Sequence, residues 1–495
     1  MGDILVGIDL GTTNLTVVAF DVAGEMVAQA SRPTPTYHPR AEWTEHDPDR
    51  LWERLCEAMR EVVSAVGDAD RIAGLAIASM GEAGVPLDRE GRALYPVIGW
   101  HDPRTQPQAD RWADSFGDPR TYQITGTPID YIYSLNKLLW LREHEPDVAR
   151  RIHKFLCMED YVIFRLTGEL ATDLSMASRT MALDMAAEQW STEIMAAADI
   201  DIDIWPPLHE SGEIVGRVTA AASAATGLAA DTPVVTGGHD HTCGMLAAGV
   251  LEPGMMLDSS GTVEGMWFPL AEPLLRDELR EAGYAHEHHV VPGLYLISGS
   301  VMTSGVLLDW AKETFGFDSI EQMTSAAAAV APGAGGVAIL PHFRGSTTPI
   351  SDPRSRGAII GLTMSTNRAA VARAVMEAVA FEMRTNLEFL RRWLPQPLTQ
   401  IRGIGGGARS DVWLQIKADV LGHPIERPTV TEGTALGAAL LAGVGVGVYR
   451  DHRAAAGLIP VERTFEPDPD AHARYAEIHD RVYRALYPTL RAVRS

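Results

Sequence analysis

Short apolar runs along the chain end at glycine or at a polar residue, which is the pattern of buried strands followed by turns. Residues 4–8 are Ile-Leu-Val-Gly-Ile and lead directly to Asp9. A Thr- and Val-rich run over 15–20 follows the Gly-Thr-Thr at 11–13, and a turn signal follows at 21–24. We therefore predict a β-hairpin whose tight turn holds Gly-Thr-Thr. A strand after the glycine excludes a dinucleotide-binding fingerprint, and the missing Gly-Lys-Ser/Thr excludes a Walker A loop.

Helical periodicity predicts helices between such strands. Residues 48–66 place their apolar side chains on one face, with Asp47 as the N-cap and Pro48 as the first helical residue. The other predicted elements are strands at 72–80, 232–238 and 401–407, and helices at 368–394, from Ser410 or Asp411 onward, and at 431–443.

The plan of the first hairpin recurs once, later in the chain. Residues 255–268 contain an apolar strand that reaches Asp258, then Ser-Ser-Gly-Thr, then a second strand. This single degenerate repeat predicts two similarly built halves that face each other across a cleft. We therefore expect an α/β fold of two domains, 1–248 and 249–495, each a mixed sheet flanked by helices. No low-complexity linker separates them.

Composition narrows the functional classes. A chain of 495 residues is too long for one hydrophobic core, and no stretch offers the ~20 apolar residues that span a bilayer. Its 3 cysteines are widely spaced, and the chain begins almost directly with the first predicted strand, so we expect a cytoplasmic protein. The net charge of −23 argues against nucleic acid and anionic membranes as partners.

A set of motifs in fixed order resembles the FGGY carbohydrate kinases, which belong to the actin-like ATPase superfamily. The resemblance covers residues 4 to about 450. Its elements are DLGTT (9–13), GEAGVPLDREG (81–91), WHDPRT (100–105), KLLWLREH (137–144), GGHDH (237–241), SSGT (259–262), GAIIGLT (357–363), GIGGGARSDVWLQIKADVLG (403–422) and ALGAALLAG (435–443). The resemblance implies two actin-like (ribonuclease H-like) domains with the active site between them.

The resemblance also implies an ATP site built from both halves. Small residues in tight turns let backbone N–H groups approach phosphate oxygens. The residues expected to bind ATP are Gly11, Thr12, Thr13, Gly261, Thr262, Gly406, Gly407 and Asp411. Asp9 matches the aspartate that organises Mg²⁺, often through water. This would explain a carboxylate at the end of a buried strand, which needs a partner or an ion.

The same resemblance assigns the sugar site. Asp240 matches the catalytic base, a carboxylate that accepts the hydroxyl proton as the γ-phosphoryl group is attacked. Glu82 and Asp102 lie where family members bind sugar hydroxyls, Trp100 could supply an apolar wall, and Glu264 could also face the sugar. Tyr131 and Tyr133 flank another expected substrate position, which Ile132 occupies in a gapless alignment.

The expected reaction is ATP-dependent phosphorylation of a small ketose or polyol, with a xylulose-like ketopentose as the first hypothesis. Glu82 is an acid, as in glycerol kinases, whereas xylulokinases usually carry histidine there. Thr16 stands where many members carry a cation expected to face the γ-phosphate. Family kinases are commonly dimers or tetramers, so the resemblance allows a homodimer.

Two other functional classes stay open. A regulatory actin-like ATPase would bind nucleotide without phosphorylating sugar. A metal-dependent hydrolase would use the histidines at 239, 241 and 286–289. In a continuing strand, however, His239 and His241 would point to opposite faces. The run His-Glu-His-His at 286–289 fits a polar loop or a strand edge better than a ligand set.

Overall fold

The computed structural model describes residues 2–430 and 432–494, and two mixed β-sheets organise this part of the chain. The strands of the first sheet, in order across it, are Ile214–Arg217, Pro233–His239, Ile72–Ser79, Ile4–Leu10, Asn14–Asp21 and Met26–Pro33. The strands of the second are Ala285–His288, Tyr295–Val301, Glu264–Leu270, Met255–Ser260, Gln400–Ile404, Ile425–Pro428 and Val461–Phe465.

The two sheets share one plan. In each, a central strand forms an antiparallel hairpin on one side and pairs in parallel with a later strand on the other. A further antiparallel strand follows the hairpin, and a second parallel strand and then an antiparallel one complete the other side. The predicted duplication is therefore confirmed at the level of topology, and the second sheet adds one edge strand, Ala285–His288.

Helices cover both sheets and fill the space between them. They are Pro48–Val66, Gln106–Ser115, Asp118–Thr125, Ser134–His144, Pro146–Ala149, Met158–Thr167, Leu174–Ser178, Thr192–Ala198, Ala220–Thr226, Asp240–Ala247, Asp277–Glu281, Gly305–Thr314, Ile320–Ala328, Arg368–Leu390, Asp411–Leu421, Gly433–Gly445, His452–Ala456, Pro469–Ile478 and Arg484–Arg494. No helix in the described ranges is long and apolar enough to cross a membrane.

Short elements complete the structure. The small strands are Thr36–Tyr37, Glu45–His46 and Val97–Ile98, Gly84–Leu87 with Lys154–Cys157, Thr172–Asp173 with Leu208–His209, Leu183–Asp184 with Gln189–Trp190, and Ala338–Leu340 with Ala358–Ile360. Single turns of 3₁₀-helix lie at Ala69–Arg71, Pro103–Thr105, Ile202–Ile204, Ala334–Gly336 and Gly407–Arg409, and His479–Tyr483 is π-helical.

The helix predictions are confirmed with small shifts of their ends. Pro48–Val66 begins where expected, and the Asp47 side chain caps it by accepting hydrogen bonds from two backbone N–H groups. Ser410 caps Asp411–Leu421 in the same way. Residue 431, where the last predicted helix was expected to begin, lies outside the described residues. That helix is described from Gly433.

Two helices cross between the halves. Gly433–Gly445, from late in the chain, packs on strand Ile4–Leu10 of the first sheet and on helix Asp240–Ala247. The contact is so close that a Cβ at Gly7 would lie 1.8 Å from the Ala435 carbonyl oxygen, so glycine is required there. Helix Asp240–Ala247 in turn packs against the second sheet, with Met245 beside Trp267. The division at 248 and 249 stays a prediction.

Candidate active site

The first predicted phosphate loop is the turn between strands Ile4–Leu10 and Asn14–Asp21. The Gly11 N–H donates to the Asn14 carbonyl at 3.0 Å, and the Thr34 hydroxyl donates to the Gly11 carbonyl at 2.7 Å. Thr13 is exposed, and the Thr12 hydroxyl accepts a hydrogen bond from the Trp100 indole N–H at 3.0 Å. The turn is therefore held from behind, with Thr13 exposed and the half-buried Thr12 bound to Trp100.

The second predicted phosphate loop has the same construction. The Gly261 N–H donates to the Val263 carbonyl at 3.0 Å, and the Gly305 N–H donates to the Gly261 carbonyl at 2.9 Å. Gly261 and Thr262 are exposed. The two hairpin turns thus offer equivalent surfaces of backbone and hydroxyl groups, one from each sheet.

Beneath the second loop lies a buried ion cluster centred on Lys417. Its ammonium donates to Asp258 Oδ2 at 2.8 Å, to the Ser260 hydroxyl and to Glu264 Oε1, and all three charged side chains have 0% exposure. The Glu264 carboxylate also accepts from the Ser304 hydroxyl. Glu264 therefore lies inside the second domain. The expectation that it faces the sugar is corrected, because Lys417 holds its carboxylate away from solvent.

Sequence reasoning did not identify Lys417. The signal was present, because Lys417 stands on the helix face of Trp413, Ile416 and Val420, where an apolar residue would be expected. A lysine at 0% exposure requires buried acids nearby.

The glycine loop before helix Asp411–Leu421 packs against the second phosphate loop. A Cβ at Gly405 would lie 2.7 Å from the Ser260 carbonyl oxygen, and one at Gly407 would lie 2.6 Å from the Ser260 Cβ. Gly406 has no such neighbour within 4 Å and is exposed. Asp411 is exposed too, but Arg427 donates to it at 2.7 Å and Arg463 pairs with its other oxygen. Two of the three predicted residues, Gly406 and Gly407, are thus presented beside Gly261, whereas Asp411 is ion-paired.

Asp9 is half-buried at the end of its strand, one residue before the chain turns. Burial and the charges of Asp240 and Glu432 raise its pKa to about 8. A hard divalent cation with its waters would relieve the like-charge repulsion on Asp9. Among the described residues the three carboxylates are not close enough to share one ion directly, so the residues present fit a hydrated magnesium ion at Asp9.

Asp240 begins the helix Asp240–Ala247, where backbone N–H groups and the helix dipole favour a carboxylate. Its Oδ1 atom accepts from the His241 backbone N–H at 2.6 Å and lies 3.2 Å from His239 Nε2. The side chain is 27% exposed. One carboxylate oxygen is thus fixed by the protein. The chain turns from strand to helix here, so the continuing strand that would point His239 and His241 to opposite faces does not form, and their rings lie 5.4 Å apart.

Glu82 lies in a tight turn with a positive φ of 63°, which is unusual for a residue other than glycine. It is 4% exposed, and Arg179 donates to its Oε1 atom through Nε at 2.8 Å and through a second nitrogen. Trp100, in contrast, is 36% exposed, and its indole N–H binds Thr12 of the first phosphate loop.

Asp102 does not reach the cleft. Its side chain has 0% exposure, and its oxygens accept from the Thr44 backbone N–H at 2.6 Å and from the backbone N–H and guanidinium of Arg104. The expectation that it binds a sugar hydroxyl is corrected on this geometry. Asp102 anchors the loop that carries Trp100, and all its hydrogen-bonding capacity is used there.

Asp130 is a candidate that sequence reasoning missed. The residue as a whole is exposed, and its Oδ1 atom accepts a 3.2 Å hydrogen bond from the Ile132 N–H. Enough protein nevertheless surrounds the carboxyl that desolvation, together with the Glu82 charge, raises its pKa. Its neighbour Tyr131 is half-buried, while Tyr133 is buried with its ring 5.3 Å from the Arg179 guanidinium. Asp130 and Glu82 therefore converge on one part of the cleft wall.

Position 16, where many family members carry a cation, is a threonine in this chain. Thr16 is 7% exposed, and its hydroxyl lies 3.1 Å from the Ser31 hydroxyl. Thr16 is therefore committed to the sheet, and any positive charge opposite the γ-phosphate must come from elsewhere.

The histidine run at 286–289 forms the edge strand Ala285–His288 and its exit, as the strand-edge interpretation predicted, but it is buried rather than polar surface. Burial lowers the pKa of His286, His288 and His289 to about 4. Each bonds a backbone carbonyl, and in the described part of the chain these histidines form no cluster with metal-ligand spacing.

Comparison with known proteins agrees with the geometry. A model of the N-terminal domain of the FGGY family of carbohydrate kinases matches residues 4–247, and a model of the C-terminal domain matches residues 256–446. The chain is 32% identical to xylulose kinases of Bacillus subtilis (98% of this chain, 96% of the relative) and of Escherichia coli K12 (98% and 99%). The crystal structure of xylulose kinase from Rhodospirillum rubrum superimposes with a TM-score of 0.91 at 30% identity over 99% of both chains.

Proposed function

The chain belongs to the FGGY family of carbohydrate kinases and is an ATP-dependent sugar kinase, and from that premise we propose that its acceptor is a ketopentose of the xylulose type, with Asp240 as the catalytic base. The acceptor class is supported by relatives named xylulose kinase at 32% identity. The observation that carries the catalytic assignment is the Asp240 carboxylate, held by Oδ1 at a helix start while the side chain stays 27% exposed.

The base acts through the oxygen that the protein leaves available. His239 and the His241 N–H occupy Oδ1, so Oδ2 is the atom that accepts the proton of the sugar hydroxyl as that hydroxyl attacks the γ-phosphoryl group. The helix dipole stabilises the carboxylate before the transfer. In Asp240, one carboxylate oxygen is therefore held by the protein and the other is directed to accept the proton.

The nucleotide would be held from both halves. Thr12 and Thr13 would present backbone N–H and hydroxyl groups from one hairpin, and Thr262 would present them from the other. Gly11 and Gly261 close these turns through their own N–H groups and, without side chains, would let the phosphates approach the backbone. The loop of Gly406 and Gly407, next to the second hairpin, extends this surface toward a helix start. Asp411, bound by two arginines, would shape that loop rather than contact ATP.

Kinases of this family use ATP and typically a divalent metal. We assign Mg²⁺ to Asp9, which would hold it directly or through water, with the nearby Glu432 carboxylate completing the negative field. When bound, the ion neutralises charge on the transferring phosphoryl group. The positive charge of the ion would matter more in this protein than in family members with a cation at position 16, because Thr16 provides no positive charge.

The sugar pocket would lie against Trp100, with Glu82 and Asp130 as acceptors for sugar hydroxyls. Arg179 fixes the Glu82 carboxylate, so its orientation is set before sugar binds. An acid at position 82 departs from the histidine usual in xylulokinases, so polyols and related ketoses belong in the test.

The test is ADP release from Mg-ATP with ketopentoses, ketohexoses, their deoxy forms and C3–C6 polyols, with Asp240→Asn alongside. The proposal predicts turnover with D-xylulose or a close ketopentose that Asp240→Asn reduces by roughly 10³-fold or more. Turnover confined to another sugar would replace the acceptor and keep the base. Sugar-independent ADP release, equal in Asp240→Asn, would favour the regulatory ATPase.

The assembly state is a separate proposal. A homodimer predicts a solution mass near twice 53.6 kDa by light scattering, and a mass near 53.6 kDa would contradict it.

A further inference from the structure

A continuous chain of buried polar side chains leads from Glu82 to Asp240. The Glu287 carboxylate is its centre. Arg179 donates to Glu287 Oε1 at 2.7 Å, and His239 Nδ1 lies 2.8 Å from Glu287 Oε2. Arg179 also holds Glu82, and His239 Nε2 lies 3.2 Å from Asp240 Oδ1. Both oxygens of Glu287 are therefore used, and it has 0% exposure.

The proton positions follow from the chemistry of the partners. A carboxylate is only an acceptor, so His239 Nδ1 carries a proton and donates it to Glu287. His239 Nε2 then faces a carboxylate oxygen of Asp240. A bare nitrogen lone pair would repel that oxygen, whereas a positively charged ring attracts it. The two contacts together favour an imidazolium with a carboxylate at each end.

The environment of His239 points the same way. Burial lowers its pKa, but Glu287 and Asp240 outweigh burial and raise the pKa above its ordinary value. Burial likewise opposes ionisation of Glu287, yet Arg179 and His239 hold the pKa of that carboxyl at about 2.

Other charged and titratable side chains lie around His239 and Asp240. The His241 ring lies 5.4 Å from the His239 ring, with its Nε2 atom 3.9 Å from Asp240 Oδ1, and burial lowers the pKa of His241. Behind the strand, the Glu159 carboxyl accepts from the Gly237 N–H. Asp173 binds Ser175, whose hydroxyl accepts from the His239 N–H. Beyond Asp240 lie Asp9 and Glu432.

We propose that Glu287 is a positioning residue for the proposed kinase reaction: it holds His239 as an imidazolium, and His239 in turn orients Asp240. This inference rests on the proposed role of Asp240. The same Glu287 fixes Arg179 and thereby Glu82, so one carboxylate aligns the base and a sugar ligand together.

Glu287 belongs to the second sheet, whereas His239 and Arg179 belong to the first half. Its strand, Ala285–His288, lies at the boundary between the two halves and forms hydrogen bonds to residues of the first half. The His286 N–H donates to the Gly126 carbonyl at 2.8 Å, and the His288 N–H donates to the Ser178 hydroxyl at 3.1 Å. The base is thus oriented by a residue from the other half of the molecule.

The first test needs no sugar. In protein labelled with ¹⁵N-histidine, the ring nitrogens of His239, assigned by their loss in His239→Asn, should both be protonated at pH 7.5. In Glu287→Gln, which removes the counterion, one nitrogen should become unprotonated. A neutral His239 in the wild-type protein overturns the proposal by itself, whether or not the variant folds and whether or not any sugar is phosphorylated.

The second test compares kcat and KM with the sugar found in the panel. His239→Asn should lower kcat by roughly 10-fold or more and leave the KM for ATP unchanged, because a misaligned base slows the transfer step without loosening nucleotide binding. Glu287→Gln should lower kcat to a similar extent, and the double variant should match the singles. An unchanged kcat in either single variant would overturn the proposal.

The matched control is His288→Asn. His288 is buried on the same strand, and its ring bonds the Met185 carbonyl at 3.2 Å rather than the chain that leads to Asp240. This variant perturbs the packing between the two halves to an extent similar to that of Glu287→Gln. It should lower the unfolding midpoint and leave kcat unchanged, whereas an equal fall in kcat would mean that packing between the two halves, not Glu287, aligns the base.

Discussion

Replacing Lys417 with methionine removes the cation that two fully buried acids share. The Nζ atom lies 2.8 Å from Asp258 and also binds Glu264 and Ser260, and neither acid has any exposed surface. Methionine keeps most of the side-chain volume, so the change is mainly electrostatic. Removing one partner of a buried ion pair costs about 3–5 kcal/mol of unfolding free energy.

Protonation of one of the two buried carboxyls limits that loss of unfolding free energy, because it removes one of the uncompensated charges. In the variant, one of the two carboxyls can stay protonated in the folded state, and protonating a glutamic acid of ordinary pKa 4.5 at pH 7 costs about 3.4 kcal/mol, at about 1.4 kcal/mol per pH unit. The folded variant then holds one more proton than the unfolded chain, so its stability rises as the pH falls. The deficit relative to wild type should shrink by about 1.4 kcal/mol per pH unit between pH 7 and pH 5.

The assay is urea unfolding of both proteins at pH 5, 6 and 7, followed by tryptophan fluorescence. Lys312→Met is the control, because Lys312 forms an exposed pair with Asp309 at 3.1 Å and should change stability by no more than about 0.5 kcal/mol. A Lys417→Met deficit below about 1 kcal/mol, or one that does not depend on pH, would refute the reasoning. We also expect a higher KM for ATP, because Lys417 supports the loop of Gly261 and Thr262.

Three further predictions follow from the site. Trp100→Phe removes the 3.0 Å hydrogen bond to the Thr12 hydroxyl and should raise the KM for ATP by about 2–10-fold in steady-state assays, with an unchanged value as the contrary result. Asp9→Asn removes a carboxyl whose pKa is raised to about 8, and whose ionisation destabilises the fold as pH rises from 3.8 toward 8. The ligand-free variant should be more stable at pH 8 by on the order of 1–3 kcal/mol in urea unfolding, yet lose roughly 10²-fold in turnover; lower stability would contradict the account. The Glu287 pKa lies near 2 instead of 4.5, so its stabilising effect is present above pH 4.5 and is lost as pH falls toward 2. Unfolding of Glu287→Gln should therefore depend less steeply on pH in that range, and parallel curves would exclude the effect.

The sequence pattern was informative where the determinants are local. The first hairpin could be predicted because its apolar runs and the Gly-Thr-Thr turn are contiguous, and its recurrence at 255–268 indicated the shared plan of the two sheets. Helix Pro48–Val66 could be placed because its cap, its proline and its apolar face are set by neighbours in the chain.

Long-range pairing could not be predicted in the same way. Glu82 and Arg179 are 97 residues apart, and Lys417 and Glu264 are 153 apart, so nothing local connects them. The sugar-facing role expected of Glu264 failed because its position after the phosphate loop does not reveal that a lysine on a later helix would bind it.

The change of chain direction after His239 was a further feature that the sequence pattern could not predict. His239 and His241 would point to opposite faces only in a continuing strand, and the chain enters a helix at Asp240 instead. That change of direction brings the two histidine rings to 5.4 Å and places His239 Nε2 3.2 Å from a side-chain oxygen of the next residue. A period-two pattern cannot show where a strand gives way to a helix when both sides consist of small and polar residues.

The central claim, that Asp240 catalyses phosphoryl transfer from ATP to a sugar, is tested most directly by ³¹P NMR of the reaction itself. Wild-type protein with Mg-ATP and D-xylulose, or the active sugar from the panel, should yield one new phosphomonoester signal in equal amount to ADP, with little inorganic phosphate. Asp240→Asn, still folded and still binding ATP, should yield almost none. Inorganic phosphate as the main product, at a rate that neither sugar nor Asp240→Asn changes, would contradict the account.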